Sequence, residues 1–183
     1  MGKITLNAQQ VSYAVDPVTF AYLSTNGSPT QTYSLTQNVP TGIIGFKVPQ
    51  GVSWKVPLHL LVRMNLVNSS GVSLQPSDIV SLYVSLPSNT THTFGTLLAQ
   101  KPYSYYIWVP YQNQFVEGYQ KSLYFDLPGY NSTTWNDNNP ITTEIPENSV
   151  LIFAVTSFTT GESVDWAIGY SEINFEVFEV TKR

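Results

Sequence analysis

The chain has 183 residues, no cysteine, charged residues at only 11% and a formal net charge of −4. That length suits one domain with a sizeable core. The missing thiols exclude a disulfide framework, a thiolate nucleophile and a cysteine-based zinc site. No concentrated basic run supports specific nucleic-acid binding, and no stretch approaches the roughly 20 apolar residues of a spanning helix, so membrane insertion is not expected.

Twelve prolines and eleven glycines are spread along the chain and cut it into pieces of strand length. Residues 1–50 hold short extended candidates: Lys3 to Leu6, Val11 to Val15, Thr19 to Ser24, Thr32 to Thr36 and Ile43 to Val48. They read either as the first strands of the domain or as an N-terminal arm lying on a neighbouring subunit. The opening Met1 to Gln10 lacks the apolar core of a secretory signal, and Leu6 stands where a myristoylation motif wants Ser or Thr.

From Trp54 the alternation strengthens. Leu58, Leu60, Val62, Met64 and Leu66 share one face, with His59, Leu61, Arg63, Asn65 and Val67 on the other. Val80, Leu82, Val84 and Leu86 are predicted to face inward, with Ser81, Tyr83 and Ser85 outward. Further strands are expected over Thr93 to Ala99, Tyr103 to Val109, Gln114 to Glu117 and Lys121 to Leu127, followed by a surface loop from Pro128 to Pro140. Val150 to Phe158 is apolar on both alternation faces, as for a central strand covered above and below. With the alternating segment from Ser163 through Val177 it reads as one long closing hairpin over Asn148 to Val180, with a bulge or a change of covering layer at Val177–Phe178. Eight or nine short strands with no helical period give an all-β, antiparallel β-sandwich. Eight strands in two Greek keys make a single jelly roll spanning residues 1–183.

Chemistry-bearing motifs are sparse. The two histidines, His59 and His92, are 33 residues apart and sit in no metal-binding spacing. No nucleophile elbow, Walker loop or dinucleotide fingerprint occurs. Residues 117–183 carry a net −7 against +3 for residues 1–116, and Glu144, Glu147, Glu162, Asp165, Glu172, Glu176 and Glu179 have the groups for a glycosidase pair. Their placement on alternating strand faces reads instead as solvent or inter-subunit contact. No catalytic residue, cofactor or resident metal is expected, although acidic loops leave calcium between subunits open. With few ion pairs available, stability is expected to fall only modestly from neutral to acid pH.

Tyr106, Trp108, Tyr111, Tyr130 and Trp135 are the candidate interface aromatics. Exposed rings of this kind also stack on sugars, so a carbohydrate-binding or adhesive surface module on the same sandwich is the alternative reading. Four Asn-x-Ser/Thr sequons, at Asn26, Asn68, Asn89 and Asn131, fall in expected turns and are candidate glycosylation sites.

The apolar strand Val150 to Phe158, a polar loop with Gly161, then Val164-Asp165-Trp166-Ala167-Ile168-Gly169-Tyr170 and the tail Ile173-Asn174-Phe175-Glu176-Val177 resemble the closing strands of viral jelly-roll capsid proteins. The low-charge composition, rich in Tyr, Thr and Asn, is similar to that of structural proteins from polyhedral and turreted icosahedral viruses of hot-acid archaea, the Sulfolobus type. The resemblance covers about the last 130 residues. It implies an upright jelly roll in an icosahedral shell, made in the host cytoplasm without a signal peptide, located in the virion and partnered by copies of itself and other capsid proteins. It carries over no catalytic residues.

Overall fold

Proline and glycine punctuation leaves segments that can satisfy their backbone groups only by pairing with one another, and the computed structural model contains, among the described residues, fifteen strands and no helix. It describes residues 2–7, 13–23, 31–66, 75, 77–91, 93–103, 106–109, 111–117, 121–133, 141–166 and 172–182. In chain order the strands are β1 (Gly2–Asn7), β2 (Ala14–Val15), β3 (Gln31–Ser34), β4 (Thr41–Lys47), β5 (Val52–Pro57), β6 (His59–Asn65), β7 (Ile79–Ser85) and β8 (Thr96–Pro102). They continue with β9 (Tyr106–Val109), β10 (Gln114–Glu117), β11 (Lys121–Asp126), β12 (Thr142–Ile145), β13 (Val150–Thr156), β14 (Ser163–Trp166) and β15 (Glu172–Thr181).

Two antiparallel sheets hold most of them. In the first, β15 is bordered on one edge by β1 and on the other by β6 and then β5, which are covered in turn by β11 and β12. The second runs β2-β4-β13-β7-β8. Beside them, β9 and β10 form a two-stranded pair and β14 pairs with β3. Along the sequence the chain visits the first sheet with β1, the second with β4, the first with β5 and β6, the second with β7 and β8, the first with β11 and β12, the second with β13, and the first with β15.

The sheets pack face to face. Phe46 of β4 meets Phe175 of β15 edge-on at 5.0 Å, while Phe153 of β13 contacts both Phe175 at 5.4 Å and Phe125 of β11 at 6.3 Å. The predicted inward set of β6, with Leu58 and Leu66 at its ends, is buried, as are Leu123, Phe125 and Leu127. The central strand foreseen at Val150 to Phe158 is β13, paired on both edges and buried on both faces. Leu151, Phe153 and Val155 enter the main core, whereas Val150 and Ile152 join Val15, Phe20, Tyr83 and Phe94 in a second, smaller cluster on the opposite face. Gly45 makes room for that cluster, because a Cβ there would lie 2.8 Å from both Val15 and Val150.

Several expectations need correction. The closing hairpin does not form: β13 is saturated by β4 and β7, so the chain leaves that sheet, β14 pairs with β3, and β15 joins the opposite sheet. At Val177–Phe178 the irregularity lies on one edge only, where the ladder breaks across Glu176–Val177. Register with β1 runs unbroken through both residues, and what changes is the partner on the other edge, from β6 to β5. Of the strand expected over Thr19 to Ser24, the described residues 19–23 form none: Thr19 closes a turn in which Asp16 Oδ1 accepts bonds from Val18 N and Thr19 N, and Tyr22 makes only an isolated bridge to Val15, while Ser24 lies outside the described residues. Ser81 and Ser85, expected outside, are buried, while Leu86 is exposed, because the second cluster covers the β7 face but stops short of the strand's end. The strand expected from Thr93 begins at Thr96, after Gly95 at φ 77°. The short strand β12 was not foreseen.

Candidate functional site

The most organised polar constellation on the outer face of the first sheet grows from register. Antiparallel pairing sets His59 of β6 directly opposite Asp126 of β11, and Leu61 opposite Tyr124. Cross-strand neighbours of this kind lie close enough for side chains to meet. His59 Nδ1 lies 2.6 Å from Asp126 Oδ1, an ion pair whenever the imidazole is protonated. The His59 ring is stacked on Tyr124 at 4.4 Å and on Tyr130 at 4.6 Å, with planes 11° and 17° apart. Tyr130 reaches the stack through the turn after β11, where Leu127 N donates to Leu58 O and Tyr130 N donates to Leu127 O. A Tyr–His–Tyr sandwich fixed by one carboxylate orients an imidazole and presents Tyr124 to solvent. Among the described residues no group of three or more His, Asp or Glu is placed to hold a metal ion.

A second constellation is buried near the end of β13. Asp78 is fully buried; its Oδ2 accepts from Gln75 N at 2.9 Å and its Oδ1 from Phe158 N at 3.2 Å. Ser157 Oγ, also buried, donates to Glu162 Oε2 at 2.5 Å. The Glu162 carboxyl is pushed above its ordinary range by burial; the Ser157 hydroxyl pulls it down, while Asp78 raises it both by charge and by sharing a hydrogen bond with it. This knot ties the turn after β13 to the entrance of β7.

Four of the other carboxylates considered as an acid–base pair have a structural partner. Glu144 accepts from Ser53 Oγ, Glu179 from Trp54 Nε1, and Glu176 is paired with Lys3 at 2.6 Å. Glu147 accepts from Gly51 N at 2.7 Å and Lys182 Nζ at 2.9 Å, and these two partners hold it below the ordinary glutamate range. The side chains of Asp165 and Glu172 lie outside the described set.

Of the candidate interface aromatics, the side chains of Tyr111 and Tyr130 are described. Tyr111 is 86% exposed and Tyr130 is half-buried in the histidine stack. Tyr106 and Trp108 lie in β9, opposite Glu117 and Phe115 of β10, with their side chains outside the described set, as is Trp135 altogether. Of the sequons, Asn26 and Asn68 fall outside the described residues. Asn89 Nδ2 is engaged by Ser85 Oγ, Thr93 O and Thr93 Oγ1, while its Oδ1 accepts from Thr91 N and Oγ1. Asn131 is exposed, and its Oδ1 accepts from Thr133 N and Oγ1.

At the margin of the second sheet a hollow of about 390 Å³ is lined by residues including Phe20, Lys47, Leu86, Pro87, Asn89 and Asn148. Val18 and Tyr22 of the adjoining loop are exposed. No helix among the described residues is long and apolar enough to cross a membrane. The histidine stack and the carboxyl knot escaped sequence reading, since both depend on register between strands far apart in the chain. The one available signal was His59 and Tyr124, each at an outward position of a well-patterned strand. No protein-family model matches the chain, and no curated protein matches it in sequence.

Proposed function

We propose that this chain is a non-enzymatic virion shell subunit, a single jelly roll that assembles with copies of itself and with other capsid proteins in a virus of the polyhedral or turreted hot-acid archaeal kind. The observation that carries the reading is strand order. Treating β5–β6 as one bent strand and β11–β12 as its cover, the sheets become β1-β15-β5/6-β11/12 and β4-β13-β7-β8. With β2 lying outside β4, this order supports a reading as two Greek keys wound into one roll. Because folds host many functions, the reading also draws on surface chemistry. Charged residues are 11% of the chain, and the exposed side chains include Val18, Tyr22, Val39, Leu86, Leu97, Tyr111 and Phe158, which suits broad contacts between subunits better than a charged, repelling surface.

Stable assembly calls for contacts burying more than about 1,000 Å² each. Electron microscopy and light scattering of the purified protein, alone and beside its native particle, test the proposal. Closed assemblies or incorporation into the particle are expected; a strict monomer absent from any particle overturns it. The alternative, a carbohydrate-binding or adhesive module, draws on exposed Tyr111, and a glycan array separates the two.

A further inference from the structure

The first sheet has a break in its ladder. On the edge of β15 that faces β5 and β6, pairing ends at Phe175↔Val62 and resumes at Phe178↔Lys55, so Glu176 and Val177 have no register partner there. The six residues Val56 to Leu61 stand against those two positions and must bow away from β15. On the outer face beside this break is a concavity of about 170 Å³, lined by Thr5, Leu61, Arg63, Asn174, Phe175 and Glu176.

Its lining is chemically mixed and incompletely satisfied. Asn174 Oδ1 is buried and accepts no hydrogen bond, a standing cost that a ligand donor would relieve. Glu176 is held by Lys3, and Arg63, exposed on β6, has neither a hydrogen-bond acceptor nor a carboxylate partner among the described residues. Leu61 supplies an apolar wall, and directly across from it in register stands Tyr124, 41% exposed and held flat against His59.

Each simple ligand class meets an obstacle. A bare anion drawn by Arg63 faces the Glu176 carboxylate, a metal cation drawn by Glu176 faces the guanidinium, and an apolar group leaves the Asn174 oxygen unsatisfied. A neutral ring carrying several hydroxyls and one apolar face satisfies all of them. We propose that this basin is a saccharide subsite: hydroxyls donate to Asn174 Oδ1 and Glu176 and accept from Arg63, while the C–H face of the sugar lies on Leu61 beside Tyr124. The volume is below the roughly 300–1,000 Å³ of drug-sized pockets, so it holds one ring, with any further residues of a glycan lying outside.

The test is a saturation-transfer NMR titration of the full chain with methyl glycosides of neutral hexoses, N-acetylhexosamines and uronic acids, alongside inorganic phosphate and calcium chloride. Millimolar binding of a neutral glycoside is expected. Losing a hydrogen bond that involves a charged or buried group should weaken it by about tenfold or more in Arg63→Ala and in Asn174→Ala. Asn174→Asp, which keeps an acceptor, and Tyr111→Ala, whose position is not among the residues lining the basin, should still bind. Circular dichroism and thermal midpoints matching the parent chain establish that the variants are folded. The inference is overturned if no glycoside binds the parent chain, if binding survives both alanine variants, or if phosphate or calcium binds more tightly than every neutral glycoside. Assembly is read separately, so this result and the shell reading can fail independently.

Discussion

The two sheets share an inner core but treat their outer faces in opposite ways. Behind β13 the outer face is dry: Val150 and Ile152 pack with Val15, Phe20, Tyr83 and Phe94 beneath the turn that follows β2. Outside β15 and β6 the face is open and polar, with Lys3, Thr5, Arg63 and Glu176 exposed and the histidine stack at one end. The sequences carry this difference. β13 is an unbroken apolar run, whereas β15 and β6 alternate. Covering one face stiffens the sheet that anchors the fold and leaves the other face free for contacts.

Substitutions can break or sharpen this contrast. The largest effect is expected in the shared core: Phe153→Ala should cost about 3–5 kcal/mol in denaturant unfolding, because its ring contacts Phe46, Phe125 and Phe175. Ile152→Ala probes the dry outer face and should cost about 2–3 kcal/mol, nearer the low end for a core aliphatic because the cluster is small and can relax. A cost within about 0.5 kcal/mol, as at an ordinary surface site, would show that the outer cover contributes little. On the open face, His59→Ala removes two ring stacks and a hydrogen bond, with an expected loss of about 1–2 kcal/mol. His59→Phe should recover part of it by restoring the stacks alone.

The smallest effect is in the pH dependence. Glu162 is raised, so its contribution is fully present below the ordinary glutamate range and is lost as pH rises through its elevated value. Glu147 is lowered, so its contribution is fully present above that range and is lost as pH falls through its depressed value. The two oppose each other, which keeps the expected net change on acidification modest. Glu162→Gln should remove the gain on acidification, and Glu147→Gln the loss. Denaturant midpoints measured at about pH 7, 5 and 3 check both signs; identical profiles for the two variants would refute the assignment.

Local pattern made β6, β11 and β13 legible, because one-sided or two-sided burial is written in consecutive residues, whereas β7 was legible as a strand but not in its second buried face. Pairing was not legible. Nothing in Ser163 to Val177 says that β14 seeks β3 while β15 seeks β1, β5 and β6, since partner choice is settled by which edges are already filled. The same limit hid the candidate sites: His59 meets Asp126 and Tyr124 only through the β6–β11 register, and the basin arises from a partner switch along β15. β12 carried a readable signal in Ile141-Thr142-Thr143-Glu144-Ile145, a β-branched run between Pro140 and Pro146 that the neighbouring asparagine-rich loop obscured.

The pairing of β1 with β15 bears on how the fold is reached. Gly2 to Asn7 align with Glu179 to Asn174, so among the described residues the early strand finds its ladder partner only once β15 has been synthesised. Closing so long a loop is entropically costly and slows folding. Until that ladder closes, one edge of β15 is open, and an equivalent β1 from another copy could fill it with the same hydrogen bonds. At high local concentration, folding and strand exchange between copies would therefore compete for a single edge.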